Sequence, residues 1–161
     1  MLRKGFAVVV LTILSVAPVQ AVSEPPEPAP ITSRITEART LILSGRFGEA
    51  LTRLRPVAKA YPANTDIHFL LALSAIESSR MAKSPQVQMA LLDEAIAALH
   101  AILVDQPGLV RVRLELARAF FYKREDRLAR MHFEQVLAGQ PPGPVVSNVQ
   151  RFLAKIRARR N

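Results

Sequence analysis

Apolar residues recur every three or four positions along most of the chain, a spacing that places them on one face of an α-helix. Prolines at positions 62, 107 and 141 follow these stretches. Because proline cannot continue a helix, they predict where helices end. We therefore expect helix from about Ile31 to the end of the chain. The apolar positions that carry this prediction are Leu41, Ala50, Leu51, Leu54, Val57, Ala58, Ile67, Leu70, Leu71, Leu73, Ala75, Leu92, Ala95, Ile96, Leu99, Ile102 and Leu103.

A motif of alanine, two bulky apolar residues and proline occurs three times. In each copy the alanine precedes the proline by 12 residues. The copies are Ala50, Leu54, Val57 and Pro62; Ala95, Leu99, Ile102 and Pro107; and Ala129, Phe133, Val136 and Pro141. This spacing resembles the second helix of the tetratricopeptide repeat, a 34-residue pair of antiparallel helices. The alanine must be small because it lies where the two helices approach most closely.

The first helix of each repeat follows by register. Its small and bulky positions fall on Ala38 and Leu41, on His68, Leu71, Ala72 and Ala75, and on Arg113, Leu116, Ala117 and Phe120. The predicted fold class is all-α, a tetratricopeptide-repeat superhelix of about three helix pairs at 31–64, 65–109 and 110–143. A further amphipathic stretch at about 145–159 is expected to cap the last apolar face.

The second predicted repeat is longer than the others. Pro62 and Pro107 are 45 residues apart, 11 more than one repeat. The extra residues fall around 78–89. An enlarged loop between the two helices is the reading we favour, and an extended helix pair whose tip contacts a partner is the alternative.

The N-terminus has the pattern of a secretory signal peptide. Arg3 and Lys4 precede an apolar run from Phe6 to Ala17, and Val19 and Ala21 supply the small residues before a cleavage site. We predict a signal peptide at 1–21, a proline-rich linker at 22–33 and the repeat domain at 34–161. The predicted location is the periplasm, with association with the outer membrane left open.

The composition excludes several kinds of chemistry. The chain has no cysteine, so it forms no disulfide, thiolate zinc site or iron–sulfur cluster and carries no cysteine nucleophile. His68, His100 and His132 are interpreted as partly exposed helical residues rather than ligands. The carboxylate pairs Asp93–Glu94 and Glu125–Asp126 are placed near helix N-termini, where negative charge is favourable. We expect no catalytic residue, cofactor or metal, and therefore no enzyme.

The net charge of +9 is unevenly distributed. Residues 22–107 contain eight basic and nine acidic side chains, whereas residues 108–161 contain twelve basic and four acidic ones. Clustered arginine can bind phosphate, but an exported protein meets little nucleic acid, and none is expected as a partner. Anionic lipid, an acidic protein, a following domain and a simply solvated helix face all remain open.

The C-terminal third resembles a known family. Residues 111–119 read Arg-Val-Arg-Leu-Glu-Leu-Ala-Arg-Ala and precede Phe120; residues 129–138 and the prolines at 141 and 142 follow. This stretch is similar to the periplasmic N-terminal repeat domain of the surface lipoprotein assembly modulator (Slam) family. The resemblance covers 107–160 well and 35–160 loosely. It implies a domain that engages lipoprotein clients and precedes an outer-membrane β-barrel.

The chain stops at Asn161, where that barrel would begin. We therefore expect either a fragment or a barrel-less paralogue, of which the resemblance predicts only the binding half. The partner would be an exported protein or lipoprotein client, or the missing barrel. The residues predicted to contact it are Arg113, Arg118 and Tyr122, with Arg111 at the rim. The alternatives are a generic periplasmic repeat scaffold in envelope assembly and a peripheral membrane protein that binds through its basic C-terminal helix.

Overall fold

The computed structural model describes residues 30–159, which form seven α-helices and contain no strand. The predicted signal peptide and residues 22–29 of the predicted linker lie outside the described residues. The helices are α1 (Ile31–Leu43), α2 (Phe47–Ala60), α3 (Thr65–Met81), α4 (Pro85–Asp105), α5 (Val110–Tyr122), α6 (Asp126–Ala138) and α7 (Gly143–Ala158). The all-α prediction is confirmed.

The connections between the helices alternate in length. Three residues join α1 to α2, α3 to α4 and α5 to α6, whereas four residues join α2 to α3, α4 to α5 and α6 to α7. Such short connections force neighbouring helices to run antiparallel. Each helix packs on the next one in sequence, and α1 also contacts α3, and α3 contacts α5. The odd-numbered helices α1, α3 and α5 therefore form one layer.

The helix ends follow local chemistry. The side chain of Asn64 accepts a hydrogen bond from the backbone of Ile67 at the start of α3, and Ser84 does the same for Val87 at the start of α4. Pro85 occupies the first turn of α4, where its missing N–H costs nothing. These caps fix where the two longest helices begin.

Two of the three-residue turns have the same backbone hydrogen bonds. At the end of α1, Gly45 has a φ of 72° and its N–H donates to the carbonyl of Ile42. At the end of α5, Arg124 has a φ of 68° and its N–H donates to the carbonyl of Phe121. Arg124 adopts a left-handed conformation that costs a non-glycine residue about 1–2 kcal/mol. The turn geometry therefore recurs in two helix pairs although only one of them carries glycine.

A continuous core runs through the array. The alanines at the predicted close approaches, Ala50, Ala95 and Ala129, are completely buried. The other apolar residues predicted to pack the repeats are buried too, namely Leu54, Leu99, Ala117, Phe120 and Phe133. Pro62, Pro107 and Pro141 lie in the four-residue connections.

Four details differ from the sequence-based expectation. The first is the end of the linker, since α1 begins at Ile31, as the apolar spacing predicts, and residues 31–33 therefore belong to the helix and not to the linker. The second is the insertion, which is an extended helix pair, because only residues 82–84 separate α3 from α4. The enlarged loop that we favoured is wrong, and the extra residues lengthen both helices.

The other two differences concern polar side chains. His132 is buried, with 7% of its surface exposed, rather than partly exposed. Asp93 and Glu94 lie in the middle of α4, because that helix already begins at Pro85. Asp93 pairs with Lys123 in the α5–α6 connection and Glu94 pairs with Arg55 of α2, so neither acts on the helix N-terminus.

Candidate functional site on the α3–α5 face

One face of α5 points towards α3. Arg111, Glu115, Arg118 and Tyr122 are spaced by four, three and four residues, which places them on one side of the helix. Each contacts a side chain on α3 or one of its neighbours on the same stripe. We call this surface, together with Phe69, Glu77 and Arg80 of α3, the α3–α5 face.

A charged network lies at the centre of the α3–α5 face. The guanidinium of Arg118 donates to Oε2 of Glu115 and to Oε1 of Glu77, both at 2.6 Å. Arg80 donates to Oε2 of Glu77 at 2.5 Å. The side chains of Arg118, Glu77 and Glu115 are only 17%, 14% and 11% exposed. With Arg80, the network pairs two guanidinium groups with two carboxylates.

Burial and ion pairing have opposite effects on the pKa values of the residues in this network. Burial raises the pKa of Glu115, and the nearby Arg118 opposes that rise. For Arg118, burial works against the charged form, but the charge of Glu115 and the hydrogen bonds with Glu77 and Tyr122 outweigh it and raise the pKa of Arg118. Arg118 therefore stays charged and holds two carboxylates that would be costly to bury alone.

Aromatic rings support the arginines at the edges of the α3–α5 face. The guanidinium carbon of Arg111 lies 4.8 Å from the ring centroid of Phe69, and that of Arg80 lies 5.4 Å from the ring centroid of Tyr122. Tyr122 in turn packs edge-on against Phe152 of α7. Arg80 and Arg111 are both exposed. They present planar donor groups held over rings, a geometry suited to binding carboxylates.

The four predicted contact residues do not share one surface. Arg111, Arg118 and Tyr122 lie on the α3–α5 face, but Arg113 points away from it. The guanidinium of Arg113 donates to the side chain of Gln135 on α6 at 2.7 Å and to the carbonyl of Pro107 at 2.6 Å. The stripe predicted from Arg113 through Ala117 to Phe120 is the buried side of α5, so Arg113 belongs to the α5–α6 packing.

Sequence reasoning missed the partners on α3. Phe69, Glu77 and Arg80 contact residues 41 or 42 positions later, namely Arg111, Arg118 and Tyr122. A nearly constant separation of this kind is expected of two parallel helices, here α3 and α5. It is three or four residues shorter than the 45 residues by which the motif aligns the second and third predicted repeats, so that alignment does not pair Glu77 with Arg118.

A second polar group is buried between α4, α5 and α6. The ring of His132 stacks on Phe120 with centroids 5.5 Å apart, and His100 meets both rings edge-on. Within the described residues, Nδ1 of His132 is buried and has no hydrogen-bond partner. Burial, together with the positive charge of Arg113 and with His100, lowers the pKa of His132, while its hydrogen bond with Gln135 opposes that effect.

His132 should make the fold less stable in mild acid. Because its pKa is lowered in the folded state, the unfolded chain takes up a proton first as the pH falls through about 6.5. The free energy of unfolding should therefore fall as the pH drops through that value. Urea unfolding monitored by circular dichroism at several pH values across this range should show the free energy of unfolding falling with pH. His132→Phe should make that fall smaller. An unchanged slope in the variant would assign the pH dependence to other groups.

Comparisons with known proteins supply no family for this chain. No protein-family model matches it, and a search of curated proteins found no match.

Proposed function

We propose that this chain is a non-enzymatic protein-binding module, built as a tetratricopeptide-repeat superhelix, that captures an exported protein in the periplasm. The similarity of residues 107–160 to the Slam repeat domain suggests a lipoprotein as the client. The pattern of a cleaved signal peptide at 1–21 supports export. In this role the helical domain would supply the step in which the client is bound.

The regular packing of the helices supports the repeat assignment. Connections of three and four residues alternate, and the turns at Gly45 and Arg124 share one hydrogen-bond pattern. These turns are 79 residues apart, which equals one 34-residue repeat plus the 45 residues between Pro62 and Pro107. Side chains on α3 and α5 also meet at a nearly constant separation of 41 or 42 residues. Each feature is expected of stacked helix pairs.

One observation carries the binding proposal, namely the exposed guanidinium groups of Arg80 and Arg111 at the two edges of a buried ion-pair network. Arg80 donates to Glu77 through Nη1 and would use its other N–H groups for a client. Arg118 already holds two carboxylates, so it has little capacity left for a client. Arg80 and Arg111 lie at the two ends of the α3–α5 face, with Phe69 and Tyr122 beneath them. This arrangement suits an extended segment with acidic side chains, which would reach both arginines and cover the rings.

A photo-crosslinking experiment tests the proposal. A benzophenone amino acid replaces Arg111 in the full chain, the producing cells are irradiated, and the adducts are identified by mass spectrometry. We expect exported lipoproteins among the adducts, because Arg111 lies at an exposed end of the α3–α5 face. Neutralising the side chain by Arg80→Gln in the same chain should reduce their yield, since it removes the second guanidinium without adding a carboxylate beside Glu77.

The matched control places the same crosslinker at Met131, which is 42% exposed on α6. Adducts that are equally abundant from both positions would contradict a role for the α3–α5 face. Adducts formed at the Arg111 position with envelope proteins that are not lipoproteins would refute the client class and favour a general assembly scaffold. Arg118→Glu is unsuitable as a test, because it would place three carboxylates together and disturb the fold.

A further inference from the structure

The end of the α3–α4 hairpin combines exposed apolar side chains with positive charge. Met81, Val87 and Met89 are 69%, 51% and 39% exposed. Arg80 and Lys83 lie among them, and no acidic residue occurs between positions 78 and 92. We call residues 80–89 the α3–α4 tip. Two methionines and one valine thus cluster on the surface of one helix hairpin end, and clustered exposed apolar side chains often mark an interaction site.

A second apolar side chain lies on the same edge of the array. Leu43, at the end of α1, is 88% exposed. Leu43 lies at the same end of the array as the α3–α4 tip, because α1 and α3 run in the same direction. In the predicted register, in which Ala38 matches Ala72, Leu43 matches Glu77, so α3 runs about one turn further than α1.

The third helix pair is set back from this edge. Nζ of Lys123, in the connection between α5 and α6, lies 2.9 Å from Oδ1 of Asp93. Asp93 is eight residues beyond the first residue of α4, which corresponds to about 12 Å along the helix. The first two turns of α4 thus project past the α5–α6 connection. They contain no charged residue before Asp93.

We propose that this edge docks on the interfacial region of an anionic lipid bilayer, with Met81 and Val87 entering the headgroup layer and Lys83 contacting lipid phosphates. The tip projects past the α5–α6 connection, so it reaches a flat surface first. Lys83 lies among apolar residues, and the acidic residues that flank it in the sequence are no closer than Glu77 and Asp93, so a negative membrane surface attracts it. Arg80, by contrast, is already paired with Glu77.

The contact is interfacial and not a membrane crossing. By length and composition alone, α4 resembles a spanning helix, with a mean hydropathy of 1.7 in its most apolar window. However, α4 packs against α3 and α5 and carries Asp93 and Glu94 at its centre. Only its first two turns project from the array. The proposal is independent of client capture, since the lipid contacts are made by Met81, Lys83 and Val87, none of which belongs to the α3–α5 face.

The chain provides a clean fluorescence test because it contains no tryptophan. Met81→Trp introduces a single indole at the α3–α4 tip, and Val104→Trp introduces one at the opposite end of the same helix pair, where Val104 is 78% exposed. Vesicles of phosphatidylcholine mixed with phosphatidylglycerol should shift the emission of the Met81→Trp variant to shorter wavelength. The Val104→Trp variant should show no shift.

The charge contribution is tested in the Met81→Trp background. Lys83→Gln should weaken partitioning to the mixed vesicles by about fivefold, the usual effect of one basic residue near an anionic surface. Lys59→Gln, a matched change at the far end of α2, should leave it unchanged. Vesicles of phosphatidylcholine alone should bind much more weakly.

Several outcomes would overturn the proposal. Equal shifts for the Met81→Trp and Val104→Trp variants would show that the tip has no special role. A shift that appears without vesicles and grows with protein concentration would identify a second copy as the occupant. Loss of the shift on changing Lys155 and Arg157 to glutamine would assign the contact to α7. Crosslinking from the Arg111 position should be unaffected by Lys83→Gln, which separates this proposal from the proposed function.

Discussion

Replacing Arg118 by methionine should lower the free energy of unfolding by about 3–5 kcal/mol, the usual cost of breaking a buried ion pair by removing one partner. The replacement leaves the carboxylates of Glu77 and Glu115 together in a site where each is less than 15% exposed. Burial already raises the pKa of Glu115, and loss of Arg118 should raise it further. Urea unfolding at neutral pH should reveal the loss.

The pH dependence of that loss identifies its cause. In Arg118→Met the buried carboxylates are costly while they are charged, and protonation in acid removes that cost. The difference in free energy of unfolding between the wild type and Arg118→Met should therefore shrink as the pH falls. Arg118→Met combined with Glu77→Gln and Glu115→Gln should recover much of the stability at neutral pH. Arg111→Met is the matched control on the same helix face and should cost less than about 1 kcal/mol. Equal costs for Arg118→Met and Arg111→Met would contradict a structural role for the network.

Phe133→Ala should destabilise the fold by about 3–5 kcal/mol and release α7. Phe133 is completely buried in α6, and its ring stacks on Phe152 of α7 with centroids 5.1 Å apart. Since Phe152 also meets Phe121 and Tyr122 edge-on, loss of the Phe133 ring weakens the aromatic cluster that joins α7 to α5 and α6. Hydrogen exchange should show faster exchange of the amides of α7 than of α3.

A nearby substitution separates this effect from a general loss of helix propensity. Met131→Ala changes an exposed side chain two residues away on α6, and surface substitutions of this kind usually change stability by less than about 0.5 kcal/mol. If α7 keeps its protection in Phe133→Ala while global stability falls, the aromatic cluster is not what holds α7 in place.

The sequence predicted best those features that depend on the residue pattern within a single helix. The periodic apolar positions located the helices, and Pro62, Pro107 and Pro141 fall between them. The alanines at positions 50, 95 and 129 are buried as expected, because a fixed spacing before a proline records a close approach of two helices. Such patterns are local, and a single chain reveals them directly.

The errors concern relations between helices or a choice between a loop and a helix. Arg113 and Arg118 looked equivalent because both are arginines on α5, but they are five residues apart and face different neighbours. The 11 extra residues around 78–89 are compatible with a loop or with a longer helix pair, and the loop is the interpretation that we favoured. Yet Pro85 occupies the first turn of α4, and Ser79 donates within α3. The pairing of Glu77 with Arg118 depends on the register between two helices, which no local pattern specifies.

The sequential packing of the helices also has a kinetic consequence. Most contacts join elements that are adjacent in the chain, so little loop-closure entropy opposes their formation, and proteins with such topology fold quickly. Stability in such an array is the sum of neighbour interfaces, and the two ends have fewest of them. Opening should therefore begin at α1 or α7 and spread inwards, leaving the α3–α4 pair intact longest. A client or membrane that engages this central pair would encounter the part of the molecule that is least often open.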